Sequence, residues 1–358
     1  MQCCENCFND IELKAFIKGR QVTGNCDICN SHNINIYDME ADGELAEMFD
    51  DFLSIYSPKD KLPEDYPDEY LCFLREELVH RWNIFNLNSQ DVLKLMTNLL
   101  KVNFPSKLNL FRELVGIPEL HDTKKIDENT ILKGYSWEKF VEYLKYKNRF
   151  HSSHINYKIL DEFLKQILTV IPAGKKLYRA RISNDKVLES VELGAPPKEF
   201  ATAGRANSEG IRHLYLATNP ETAVREIRPG EGDRIYIGEF ECERDLVIVD
   251  LKGLEKISVF QSSDKLFYAM NREDILKISS EISKPVRRTD SKLDYLPTQY
   301  IVDYIKSKSN EEEFESCSGI GFKSTLCSIG DNVMIFDPEI MECKNVTERV
   351  IRSITYNA

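Results

Sequence analysis

The sequence predicts an α+β protein in three parts: a small metal-stapled segment, a helical bundle and a β-rich carboxyl-terminal half. Three observations carry this: two tight cysteine pairs near the start, a helical period that holds to about residue 171, and short alternating strands from residue 172 onward. A chain of 358 residues suits such a division, because single hydrophobic cores stop growing near roughly 250 to 300 residues.

In the first part, Cys4 and Cys7 are two residues apart, Cys26 and Cys29 likewise, and 18 residues separate the pairs. That is a zinc spacing: four thiolates from two tight turns can close a tetrahedral site and stabilise a segment too small to do so by burial. Residues 1–38 are therefore expected to form a zinc-binding segment, with Cys3 and His32 as alternatives for one ligand. The first residues lack the basic start and apolar stretch of a signal peptide, which points to the reducing cytoplasm, where metal or free thiol is favoured over disulfide.

From 39 to 171 the strong periodicities are helical. Leu45, Met48, Phe49, Phe52, Leu53 and Tyr56 recur at three- and four-residue steps, the spacing of one buried helix face. Similar stripes predict helices over Glu69 to Trp82, Ser89 to Val102 with Ser89 as N-cap, Ser136 to Phe150, and Tyr157 to Ile171. The acidic stretch Asp60 to Glu69, broken by Pro63 and Pro67, reads as a loop.

At Pro172-Ala173-Gly174 the period changes, opening a third part over 172–358. Strands are expected at Leu177 to Ile182, His213 to Ala217, Arg234 to Phe240, Leu246 to Leu251, Ile320 to Ser324 and Val333 to Phe336. Helices should begin near Pro220 and Pro297, each proline suiting a first turn.

Composition narrows the function. A net charge of -12 works against a nucleic-acid partner, since such affinity comes largely from cations replacing phosphate counterions. No apolar run approaches the ~18 residues that span a bilayer. Small substrates or protein partners remain.

Within the third part, period-two alternation puts Arg179 and Arg181 on one strand face and Tyr178, Ala180 and Ile182 on the other. Two guanidinium groups sharing a cleft suit a pyrophosphate, whose oxygens they bind bidentately; on residue types alone the same pair also reads as a solvated sheet face. Arg205 lies in the polar loop Gly204 to Gly210, and Glu226 about two turns into the helix that Thr218 or Asn219 caps.

These segments, in order, resemble one family. Leu177-Tyr178-Arg179-Ala180-Arg181, Ala195-Pro196-Pro197, Gly204-Arg205-Ala206-Asn207, Leu214-Tyr215-Leu216-Ala217, Glu221 to Glu226 and Arg228-Pro229 resemble the signature series of the RES domain, named for its Arg, Glu and Ser. The series continues through Tyr295 to Gln299, Gly319 to Ser324 and Asn332 to Phe336.

The resemblance implies an ADP-ribosyltransferase-like fold and an NAD-degrading enzyme. It would cleave the nicotinamide–ribose bond by phosphorolysis or hydrolysis, often as the toxin of a toxin–antitoxin pair, with a minority of members modifying proteins instead. It places the family arginine at Arg179, the tyrosine at Tyr215, the glutamate at Glu226 and the serine at Ser324. A carboxylate beside the ribose is what the chemistry asks for, because positive charge develops there as the cationic leaving group departs. Glu226 is accordingly assigned to that charge, Arg179 and Arg181 to the pyrophosphate, Tyr215 to the nicotinamide wall and Ser324 to a polar contact on NAD. Arg205 is assigned to a second phosphate or an incoming inorganic phosphate. An antitoxin or other regulatory protein and a homo-oligomer are the further partners implied.

The cysteine segment and helices resemble the HEPN-like region attached to some RES proteins. HEPN ribonucleases place an Arg and a His on one helix with four to six residues between them; Arg75 with His80, and Arg149 with His154, have that spacing. Matches this short arise readily by chance, so a sensing, dimerising or autoinhibitory module is the expected role and a ribonuclease the alternative.

Overall fold

The computed structural model describes residues 1–353 except 286 and 288. They group into two compact units, one of residues 1–134 with 256–272, the other of residues 135–255 with 273 onward. Compactness thus divides the chain elsewhere than does the change of period at 172.

In the first unit, strands β1 (Gln2–Cys4), β2 (Thr23–Gly24) and β3 (Ile34–Asp38) form an antiparallel sheet in the order β1-β3-β2, beside helix α1 (Ile11–Gly19). Asp10 caps α1, accepting from the amides of Glu12 and Leu13. Helix α2 (Glu44–Leu53) buries Leu45, Ala46, Phe49, Phe52 and Leu53, the face that its spacing predicts. The following stretch is helical without being all-helical: strands β4 (Ser57–Pro58) and β5 (Val115–Gly116) pair within it. Helix α3 spans only Leu74–His80, α4 runs Ser89–Leu100 with Asn88 rather than Ser89 as its cap, and α5 is Thr123–Asn129. Residues 256–272 belong here because Phe260 packs its ring against Phe49 and Phe52, at 5.1 and 5.5 Å.

The second unit opens with α6 (Trp137–Tyr146) and α7 (Tyr157–Gln166). The expected continuation of α7 to Ile171 is corrected: Leu168–Ile171 is strand β6, on which the β-branched Thr169, Val170 and Ile171 pair with β10. The other strands are β7 (Lys176–Ile182), β8 (Leu214–Ala217), β9 (Arg234–Cys242), β10 (Leu246–Asp250), β11 (Gly319–Lys323), β12 (Asp331–Ile335) and β13 (Met341–Val350). Between them come α8 (Pro220–Glu226), α9 (Lys265–Ser283), whose residues to 272 count with the first unit, and α10 (Leu296–Ser307). Neither α9 nor β13 is foreseen in the sequence.

The eight strands form one mixed sheet in the order β13-β9-β7-β8-β12-β11-β10-β6, antiparallel except where β10 meets β11. One face carries the large residues Leu177, Leu214, Leu216, Tyr236, Phe240 and Ile335. The other carries Ala180, Ala217, Ile235 and Ile237, against which Ala223 and Val224 of α8 pack. Alanines at those sheet positions let α8 lie close. Meanwhile β7 and β8 are bridged only at Tyr178 and Ala217, so the two strands part beyond that point.

Candidate functional site

A cavity of about 580 Å³ lies where β7 and β8 part, within the second unit. Small-molecule sites commonly enclose roughly 300 to 1,000 Å³. Tyr178, Arg179 and Ala180 of β7 line it, as do Tyr215 of β8, Glu226 at the end of α8 and Asn332 of β12. The loop from Ala201 to Asn207 and residues 282–285 complete the wall.

Arg179 is a cation of this cavity with an unpartnered nitrogen inside the protein. Its Nη1 is buried with no hydrogen-bond partner, and among the described residues no carboxylate reaches it. Burial, and then the neighbouring Arg181, lower its pKa to about 10, so it is still protonated at neutral pH. A buried guanidinium without a counter-ion is costly unless a ligand supplies the negative charge. Arg181 shares the face of Arg179, as alternation predicts, but it donates to the Gly194 carbonyl at 2.9 Å and does not line the cavity.

Glu226 is held from two sides. Its Oε1 accepts from Ser324 Oγ and from Asn332 Nδ2, each at 2.7 Å. Ser324 is 3% exposed, and its Oγ in turn accepts from the amides of Leu326 and Cys327, at 3.3 and 3.1 Å. The one hydroxyl proton of Ser324 is therefore directed at Glu226 rather than at the cavity.

The wall opposite is a locked loop. Gln299, buried at the start of α10, donates to the carbonyls of Gly204 and Asn207 at 2.7 and 2.9 Å and accepts from Ser208. Thr298 adds a bond to the Arg205 carbonyl at 2.6 Å. Asn207 binds three loop carbonyls through Nδ2 and accepts from the Tyr215 hydroxyl at 2.6 Å. Burial raises the Tyr215 pKa, so it remains a neutral donor. The Arg205 guanidinium is already engaged, by Asp290 at 2.9 Å, by the Pro285 carbonyl at 3.3 Å and by the ring of Tyr295. His213, also on the wall, binds the Phe336 carbonyl through Nδ1, and burial lowers its pKa, favouring the neutral ring.

The structure thus brings Arg179, Arg205, Tyr215 and Glu226 to one cavity, places Ser324 behind Glu226, and leaves Arg181 outside. Tyr178, Asn207 and Asn332 line the cavity and Gln299 braces its loop, none of them singled out by residue type. None carries a charge, although all four lie inside the family-like segments.

In the first unit, the Sγ atoms of Cys4, Cys7, Cys26 and Cys29 lie within 4.8 Å of one another. Three neighbouring pairs stand at 3.4, 3.5 and 3.8 Å; a tetrahedron with metal–sulfur bonds of about 2.3 Å has edges of about 3.8 Å. The amides of Ile28 and Cys29 both point at the Cys26 sulfur, at 3.4 Å, as they would at a metal-bound thiolate. The donor set could therefore hold a metal ion. Cys3, buried, and His32, bonded to Asn25 through Nδ1, are not among the four clustered residues.

Arg75 and His80 share α3, where both flank Glu76 at 3.6 and 3.3 Å. Arg149 and His154 do not share a helix, because α6 ends at Tyr146 and α7 begins at Tyr157; the His154 ring lies against Tyr135 and Tyr143. Among the described residues no helix is long and apolar enough to cross a membrane.

Compared with protein families, residues 176–356 match the RES domain, just over half of the chain. No curated protein and no solved structure matches.

Proposed function

The chain belongs to the RES domain family, which is associated with NAD-related, toxin-like enzymatic activity, and from that premise we propose that it cleaves the nicotinamide–ribose bond of NAD. The observation that carries this reading is the half-buried Arg179, with a buried and unpartnered Nη1, and the half-buried Glu226 on the wall of the same cavity. One supplies a cation for the pyrophosphate; the other supplies an anion for the sugar.

In this reading the bond between the anomeric carbon and the nicotinamide nitrogen breaks, and its electron pair stays on the nitrogen, neutralising the ring. Positive charge spreads over the anomeric carbon and the ring oxygen. The Glu226 carboxylate stabilises that charge and hydrogen-bonds the ribose hydroxyls. An oxygen of phosphate or water then adds to the carbon and loses its proton. Tyr215, tied to Asn207, forms a rigid wall for the nicotinamide; Tyr178, on the same cavity, offers a second aromatic surface. Ser324 orients Glu226 instead of touching NAD. Arg205, its charge met by Asp290, fixes the loop rather than a second phosphate. The four-cysteine cluster is assigned to a structural zinc.

The test is to incubate the full chain with NAD, with and without phosphate, and identify products by mass. Nicotinamide with ADP-ribose-1″-phosphate assigns phosphorolysis, and nicotinamide with ADP-ribose assigns hydrolysis. A macromolecule labelled from NAD tagged on its adenine would assign protein modification instead. No release of nicotinamide at any protein concentration would overturn the reading. Arg179→Ala is expected to raise the KM for NAD about tenfold to a hundredfold, the size of a lost hydrogen bond to a charged group, with a smaller change in kcat. An unchanged KM would remove Arg179 from the pyrophosphate.

A further inference from the structure

The two oxygens of Glu226 are not equivalent. Oε1 accepts from both Ser324 and Asn332, while Oε2 accepts from no side chain or amide among the described residues. From this asymmetry we propose that Asn332 is a positioning residue for the reaction: with Ser324 it commits Oε1, and so makes Oε2 the oxygen that addresses the ribose. The inference rests on the role given to Glu226 above and adds a residue and an atom to it.

The fold holds Asn332 firmly enough for that task. It sits in β12 between Ala217 of β8 and Phe322 of β11, so strands on both sides fix its backbone. The preceding residue, Asp331, is clamped to Thr218 by two bonds: its amide donates to the Thr218 hydroxyl, and its carbonyl accepts from the Thr218 amide, each at 2.9 Å. Thr218 leads directly into α8, with Asn219 as the cap. Gly330 allows this approach, because a Cβ there would stand 2.5 Å from Thr222 Oγ1 and 2.9 Å from Asn219 Cβ. Strand β12 is thus docked at both ends of α8, through Thr218 at its start and through Glu226 at its finish.

Two donors on one carboxylate oxygen do more than anchor it. They oppose the rotation about the last side-chain bond that would exchange Oε1 with Oε2, and they leave the lone pairs of Oε2 free for the ribose. A carboxylate aimed before NAD arrives does not have to reorient as ribose charge develops. Asn332 has no need to touch NAD to do this, so its removal should alter turnover and not binding.

The test compares Asn332→Ala and Asn332→Asp in the full chain, with NAD as substrate and nicotinamide release as the readout. In Asn332→Ala, kcat is expected to fall about tenfold to a hundredfold, with KM within about threefold and the melting temperature little changed. Asn332→Asp should fall further, since a carboxylate of the same shape would confront Oε1 and repel it. Being isosteric, it also carries the decision if the alanine variant does not fold. A kcat within about twofold of the parent in the folded variant, or a raised KM with unchanged kcat, would overturn the inference. Glu226→Gln serves as the reference. If it is inactive while the Asn332 variants are fully active, only the role of Asn332 falls; if it is active, the assignment of Glu226 falls with it.

Discussion

Replacing Glu226 with glutamine is expected to lower nicotinamide release about a thousandfold, the upper end of what removing one electrostatic contact at a reacting centre costs, while NAD binding stays within about threefold. The substitution is clean because glutamine fills the same volume, and its carbonyl oxygen can still accept from Ser324 and Asn332 in the geometry that both now have. Only the negative charge is lost. Single-turnover release of nicotinamide measures the chemical step, and titration with NAD measures binding. Activity within tenfold of the parent would mean that the ribose charge is met elsewhere, and the cavity would need another assignment.

The second large effect concerns the cysteine cluster. Cys26→Ser is expected to abolish one equivalent of bound zinc and to lower the melting temperature by roughly 6–12 °C. Structural zinc contributes an apparent 10–16 kcal/mol in small domains, and about a quarter of that, ~3 kcal/mol, corresponds to such a shift in a unit of this size. His32→Ala and Cys3→Ser should keep the full metal content, because neither residue belongs to the cluster. Zinc measured per chain, alongside thermal melting, distinguishes these cases. Metal retained in Cys26→Ser, or lost in His32→Ala, would redraw the ligand set.

What the sequence makes legible follows from how local each signal is. The strands β7, β8, β9, β10, β11 and β12 lie within a residue or two of expectation because their alternation is short-range and two-sided. Strand β13 escapes notice because Met341-Glu342-Cys343-Lys344 begins a charged, largely exposed edge with little apolar contrast. Strand β6 is misread because Leu168 continues the helical spacing of Leu160 and Leu164, and only its pairing with β10 overrides that period. Helix α9 mixes polar and apolar residues around its circumference, which blurs the stripe that marks a helix.

The site divides in the same way. Arg179 and Glu226 stand out because charge and family motif coincide on them, and Tyr215 through the motif alone. Asn332 reaches Glu226 across 106 positions and Gln299 reaches Gly204 across 95; no window of sequence contains both ends of such a bond. Arg205 shows the same limit: an arginine in a glycine-flanked loop invites a phosphate, and its pairing with a carboxylate 85 positions away is visible in no window of sequence.

The parting of β7 from β8 has a consequence for how recognition there can be probed. Past the single bridge at Tyr178 and Ala217, peptide groups along the inner margins of both strands have no strand opposite, and they border the cavity. Such groups can read a carboxamide or a hydroxyl through atoms common to every residue type. An alanine scan would pass over them silently, whereas backbone ester replacements along the parted stretch of β7 would report their contribution.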